Sequence, residues 1–212
     1  EALMAFATEQ GLPYFMAVGM MWQGWFRIQQ GQGEAAISQL RLGWTRYQAT
    51  GARLYTAVRL GLLAEAYSKV GQVEEGLAVL AEALTIIDRT EERYHEAELY
   101  RLKGTLALEA RGWRLETRPP SSQASSPKPP VSQAVAQEAE GYFLKAIDIA
   151  RRQSAKSLEL RATTSLARLW QQQGKQKEAH KMLFDVYNWF TEGFDTKDLQ
   201  EAKTLLEELV VT

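Results

Sequence analysis

One small-residue code recurs along this 212-residue chain at a fixed step, and it constrains the fold more than any bulk property. Gly24, Ala64, Gly104 and Ala167 form one series, and Ala36, Gly76, Ala139 and Ala179 form a second. Neighbours within each series are 40 residues apart, except for one interval of 63 between Gly104 and Ala167 and between Gly76 and Ala139. A single insertion of 23 residues between Gly104 and Ala139 accounts for both irregularities. A period of this length is the signature of stacked helical hairpins, each unable to bury its apolar stripe without neighbours. The expected fold is all-α, and the expected task of such an array is to present a surface.

Each unit reads as helix A, a glycine-centred turn and helix B. In the second unit Leu60, Leu63, Ala64 and Tyr67 share one helical face, and Val70-Gly71-Gln72 ends the run. Helix B then carries Gly76, Leu80, Ala83 and Leu84 as the facing stripe, with Glu74 and Glu75 in the first turn, where the helix dipole favours acids. Turn glycines recur as Gly31, Gly71 and Gly174, with Gly112 one residue from its expected place. The units span about 12–50, 52–90, 92–153 and 156–191 within a single domain covering 1–212. Residues 1–9 read as the tail of a preceding helix B, and 196–211 as a lone final helix whose charged face caps the stack. The insertion, 113–133, holds five of the six prolines and few apolar side chains to offset its ordering entropy, which predicts a flexible excursion inside the third unit.

Composition narrows the role. A net charge of -1 supplies no basic stripe for a phosphate backbone, so nucleic acid is excluded as an expected partner. The absence of cysteine rules out disulfides and thiolate zinc sites and fits a reducing cytoplasm. Residues 11–26 are uncharged, yet they fall short of the roughly twenty apolar residues a bilayer requires. They also carry Pro13 and Gln23, and they read as a buried helix with no membrane role. With neither a basic n-region nor an initiator Met before Glu1, the sequence reads as the end piece of a longer protein.

The internal spacing places a turn glycine seven residues after the first small residue and an alanine five residues later. Leu166, Ala167, Trp170, Gly174 and Ala179 occupy these positions in LARLWQQQGKQKEA, and LLAEAYSKVGQVEEGLAVLAEAL repeats the scheme. This pattern resembles the tetratricopeptide repeat (TPR), although Arg27 and Ala107 stand where that motif prefers a large aromatic. The resemblance implies a right-handed α-α superhelix, a TPR-like solenoid of four helix pairs with partial helices at the ends. A narrower resemblance rests on ATGARL, EAELYRLKGTL, the run from EGYFLKAIDIA to QKEA, and FTEGFDTKDLQEAKTLLEEL. These segments are similar to the C-terminal repeat region of large bacterial signalling proteins, in which a nucleotide cyclase or another output module precedes an AAA-like ATPase. No cyclase or ATPase motif occurs in this chain, so the resemblance carries over no catalytic residue.

Candidate chemistry is sparse. Gly31-Gln32-Gly33 and Gly174-Lys175 lie on repeat turns and lack the Lys-Ser/Thr pairing of a phosphate loop. His95 and His180 belong to different units without a ligand partner at metal spacing. The expectation is therefore no enzyme, no cofactor and no metal. Carrying over the repeat family's concave register selects one site by position: Met21, Trp25 and Ile28, then Glu65, then Arg101, and finally Arg161, Arg168 and Gln171. A groove running from apolar to basic suits a protein or peptide with an apolar anchor and an acidic end. The expected function is a regulatory interaction module that also communicates with upstream ATPase or cyclase domains of the same polypeptide. Its alternatives are a self-association module, or the repeat region of a maltose-activator-like transcription regulator; the sequence leaves the oligomeric state open.

Overall fold

The computed structural model describes residues 2–113, 115 and 132–210; apart from its edges, the proline-rich excursion expected at 113–133 lies outside the described residues. Among the described residues there are ten α-helices and one short 3-10 turn, and no strand. They run α1 Ala2–Glu9, α2 Pro13–Gln29, α3 Gly33–Ala49, α4 Thr56–Val70, α5 Val73–Thr90, α6 Glu96–Glu109, α7 Gln133–Arg152, α8 Lys156–Gln172, α9 Gln176–Tyr187 and α10 Lys197–Val210. No helix among them is long and apolar enough to cross a membrane.

The chain divides into two compact units, Glu1–His95 and Glu96–Thr212. In the first, α2 pairs with α3 and α4 with α5, while α1 packs on α2 and α4 lies against both α2 and α3. In the second, α6 pairs with α7 and α8 with α9; α8 also meets α6 and α7, and α10 packs on α8 and α9.

All eight members of the two small-residue series are buried. The glycines show why. A Cβ on Gly24 would lie 2.9 Å from the Leu40 backbone nitrogen and 3.0 Å from the Ala36 carbonyl oxygen, so α2 and α3 touch backbone to backbone there. Gly43 does the same from the other side, 2.9 Å from the Met21 nitrogen. At Gly104 the space is filled by Phe143, whose ring would lie 2.6 Å from an added Cβ. The residues opposite the first series form a further one, Leu40, Leu80, Phe143 and Leu183, at the same steps and all fully buried. In the α2–α3 and α6–α7 hairpins a large side chain is thus seated over a small one, which is how close packing is reached without strain.

Turn chemistry repeats too. Gly31, Gly71, Gly112 and Gly174 adopt φ of 81°, 80°, 75° and 77°, the left-handed region that glycine enters without a steric penalty. The amide after each reaches back five residues: Gln32 to Arg27, Gln72 to Tyr67, Trp113 to Leu108 and Lys175 to Trp170. This is the Schellman closure of a helix end. Gly112 makes the same turn as the others, and its offset is one extra residue at the end of α6. The connections from helix B to the next helix A also share a left-handed residue, at Gly11, Gly51, Glu91 and Ser154, with φ of 62°, 71°, 58° and 54°. α7 is capped by Ser132, whose hydroxyl oxygen accepts from the Val135 amide at 3.5 Å.

Residues 11–26, expected as a buried helix, fall mostly in α2 and are buried on one side of it. α2 buries Ala17, Met20, Met21, Gly24 and Ile28, while Phe15, Trp22 and Phe26, on another face, are 43–56% exposed.

Candidate functional site

Each unit carries its own part of the surface that the repeat register selects. In the first, Trp25 on α2 and Glu65 on α4 stand side by side, the indole Nε1 donating to Glu65 Oε2 at 3.3 Å. Both are partly exposed. Met21 and Ile28 are not surface residues: they are 2% and 5% exposed and belong to the core of the first unit. The cause is Gly43 on α3, which leaves a space that Met21 fills. Of the apolar half of the expected groove, Trp25 alone offers a face.

The basic residues of the second unit are brought together, and each is already engaged. Arg101 holds Glu98 with two hydrogen bonds, from Nε at 2.9 Å and from Nη2 at 2.6 Å. Arg161 reaches the same carboxylate from α8 at 2.9 Å and extends toward Asp198 of α10 at 3.9 Å. Arg168 donates to Glu201 at 3.1 Å, and Gln171 to Glu208 at 3.3 Å. A ladder therefore links α6 to α8 and α8 to α10. Glu98 is nearly inaccessible, with a side chain 3% exposed, so its two arginines supply the charge compensation that burial demands. Burial lifts the Asp198 carboxyl above the ordinary carboxylate range; Arg161 works against that rise, and the charges of Glu98 and Glu201 reinforce it.

The acidic half of this ladder on α10 was not among the sequence-selected residues. Its signal was present: Asp198, Glu201 and Glu208 sit on the helix whose charged face was expected to cap the stack. Register arithmetic names positions within helix A, but it does not say which side chain of the next helix will answer them.

Two further polar clusters hold turns in place. Glu159, buried at the start of α8, accepts from Arg151 at 2.6 Å and from Lys156 at 2.7 Å. Burial alone would raise its pKa, yet these hydrogen bonds and charges outweigh burial and hold it below the usual range. In the first unit Arg59, also buried, donates to the Leu54 and Tyr55 carbonyls at 3.0 and 3.1 Å and to the Tyr14 hydroxyl at 3.0 Å. Its guanidinium lies over the Tyr47 ring at 4.3 Å. Carbonyl dipoles and ring faces replace the water it has lost.

The glycine turns behave as turns: Lys175 pairs with Glu140 at 3.6 Å. His180 stacks on Phe184 at 5.6 Å. Among the described residues no group of three or more His, Asp or Glu side chains is placed to hold a metal ion. No protein-family model matches the chain, and no curated protein matches it.

Proposed function

We propose that this chain is a TPR-type array, wound as a right-handed superhelix, that acts as a non-catalytic interaction module in the cytoplasm: the C-terminal sensor or scaffold part of a larger bacterial signalling protein. The observation that supports this reading best is the lateral ladder. Side chains at the same register position of successive A helices reach one another, as Trp25 does Glu65 and Arg161 does Glu98, and Arg168 reaches on to Glu201 of α10. A surface fixed in this way is preorganised, so a partner does not have to order it on binding.

The partner is a protein or peptide segment, and upstream ATPase or cyclase domains of the same polypeptide are the receivers. Because Arg168 and Gln171 already hold α10 carboxylates, an acidic ligand must exchange with Glu201 and Glu208 to gain them, which selects for a bidentate carboxylate over a single weak acid. Regulation follows if the ligand binds two states of the larger protein with different affinity, a coupling of about 1 to 3 kcal/mol in typical cases.

The test is site-specific photo-crosslinking in the full-length protein, with the probe at Trp25 or at Gln171, against a control at Glu82, an exposed residue of α5. Adducts from positions 25 and 171 and none from position 82 support the reading; equal yields from all three refute it.

A further inference from the structure

Carboxylates drawn away from water in the second unit share one arrangement, and Glu65 of the first unit lacks it. Glu98, Glu140, Glu159, Asp198 and Glu201 are buried or partly buried, and each meets an arginine or lysine within 3.9 Å. Glu65 is also partly buried, but its partner is neutral: the Trp25 indole, which donates to Oε2. Among the described residues no cation lies in ion-pair range of Glu65, and its Oε1 accepts no hydrogen bond. Glu92, likewise without a described ion pair, takes the Tyr55 backbone amide at 3.2 Å and so serves a turn. Glu65 serves no turn; it lies within α4, where a carboxylate short of its counter-charge is poised to gain from one.

The indole beside it narrows the missing group. Trp25 packs on the core of the first unit and makes edge contacts with Trp22 at 5.9 Å and Phe26 at 5.3 Å, so its ring is held in place. An indole face is the best aromatic surface for a cation. A planar guanidinium fits both neighbours, stacking on the ring while an N–H donates to Oε1; a compact ammonium, more strongly hydrated, gains less from the ring. An acidic side chain would be repelled here, and a neutral one would leave the charge of Glu65 uncompensated. Both groups belong to one compact unit, on α2 and α4, which pack against each other. We propose that Trp25 and Glu65 form a binding site for an arginine side chain of the partner. The site deepens the interaction role proposed above and rests on it: the ligand carries a basic residue for the first unit, where the sequence pattern alone suggested an apolar anchor.

The experiment is a titration of the intact 212-residue chain with the tripeptide acetyl-Gly-Arg-Gly-amide, and with its neutral isostere containing citrulline, at constant ionic strength. The readout is the Trp25 indole N–H resonance in a proton–nitrogen correlation spectrum, assigned by its absence from Trp25→Phe. Glu65→Gln removes the charge and keeps an oxygen that accepts from the indole, so the fold is preserved; Glu82→Gln, at an exposed site on α5, is the control. The arginine tripeptide should give a saturable shift in the parent and in Glu82→Gln, with affinity at least tenfold lower for the citrulline tripeptide and for Glu65→Gln. Equal affinity for the two tripeptides, no loss in Glu65→Gln, or a shift that never saturates overturns the proposal. Tighter binding of a lysine tripeptide would reassign the site to an ammonium and equally overturn it. Because no protein partner is needed, failure here alongside cross-links from position 171 would strike the arginine site and leave the interaction role standing.

Discussion

Gly24→Ala puts the packing argument at risk in a single methyl group. Alanine in mid-helix is ordinarily worth about 1 kcal/mol over glycine, so on helix propensity alone the substitution stabilises. Here the new Cβ falls 2.9 Å from the Leu40 nitrogen and 3.0 Å from the Ala36 oxygen, both backbone atoms that no rotamer change can move. Carbon contacts settle near roughly 3.5 to 4.0 Å, so α2 and α3 must part by about 0.5 to 1 Å, which forfeits a quarter to a half of the dispersion energy along the seam. Overpacking of this kind costs about 1 to 3 kcal/mol, leaving a net loss of up to about 2 kcal/mol after the propensity gain. Gly141 of α7 is the control, because nothing lies within 4 Å of its added Cβ. Gly141→Ala should gain the full propensity term of about 1 kcal/mol. Native-state hydrogen exchange reads both locally: α2 and α3 amides should exchange up to about thirtyfold faster in Gly24→Ala, while α7 amides slow by about fivefold in Gly141→Ala. Slower exchange in Gly24→Ala would refute the close helix contact.

Three further outcomes are expected. Thr163 is 0% exposed with a hydroxyl that meets no partner, and its register mates Met20, Leu60 and Tyr100 suit an apolar site; Thr163→Val should therefore gain about 1 to 2 kcal/mol, read as a rise of several degrees in melting temperature. Ser154 holds φ of 54°, at a cost of about 1 to 2 kcal/mol for a residue with a Cβ, so Ser154→Gly should stabilise by about 0.5 to 1 kcal/mol in a urea titration after the entropy glycine adds to the unfolded chain. Glu159 has its folded-state pKa depressed, so its contribution is present above its unfolded value of 4.5 and is lost as pH falls through the lower folded value. Glu159→Gln should cost about 1 to 3 kcal/mol at pH 7 and flatten the stability profile below pH 4.5, measured by urea midpoints across that range.

Much of the fold was written in the sequence because close helix approach is a steric demand that few residues meet. Glycine and alanine at Gly24, Ala64, Gly104 and Ala167 report it directly, as do the turn glycines that need positive φ. The turns at Glu91 and Ser154 were silent, since a left-handed residue with a Cβ is held there by the packed helices on either side and carries no mark of its own. Met21 and Ile28 were read as surface from their place in helix A; their burial is decided by residues on other helices, such as Gly43. The arginines were placed correctly on A helices, but their partners Asp198, Glu201 and Glu208 come from an element outside the repeat scheme. The uncharged run of α2 looked like a core helix because hydropathy carries no information on which faces find neighbours.

The repeat itself is tested most directly by excising residues 154–193, one forty-residue period that contains α8 and α9. Gln153 would then join Phe194, and α10 would arrive over α6 and α7 in the phase it has over α8 and α9. The core it covers at Leu160, Leu183 and Val186 would be replaced by their register mates Ala97, Phe143 and Ala146, all apolar and buried. Circular dichroism through a urea titration should show a helical chain that unfolds in a cooperative transition with a smaller m-value, in keeping with the surface removed. A shallow, non-cooperative loss of helicity would mean that the forty-residue step is not a structural unit, and the account would fall with it.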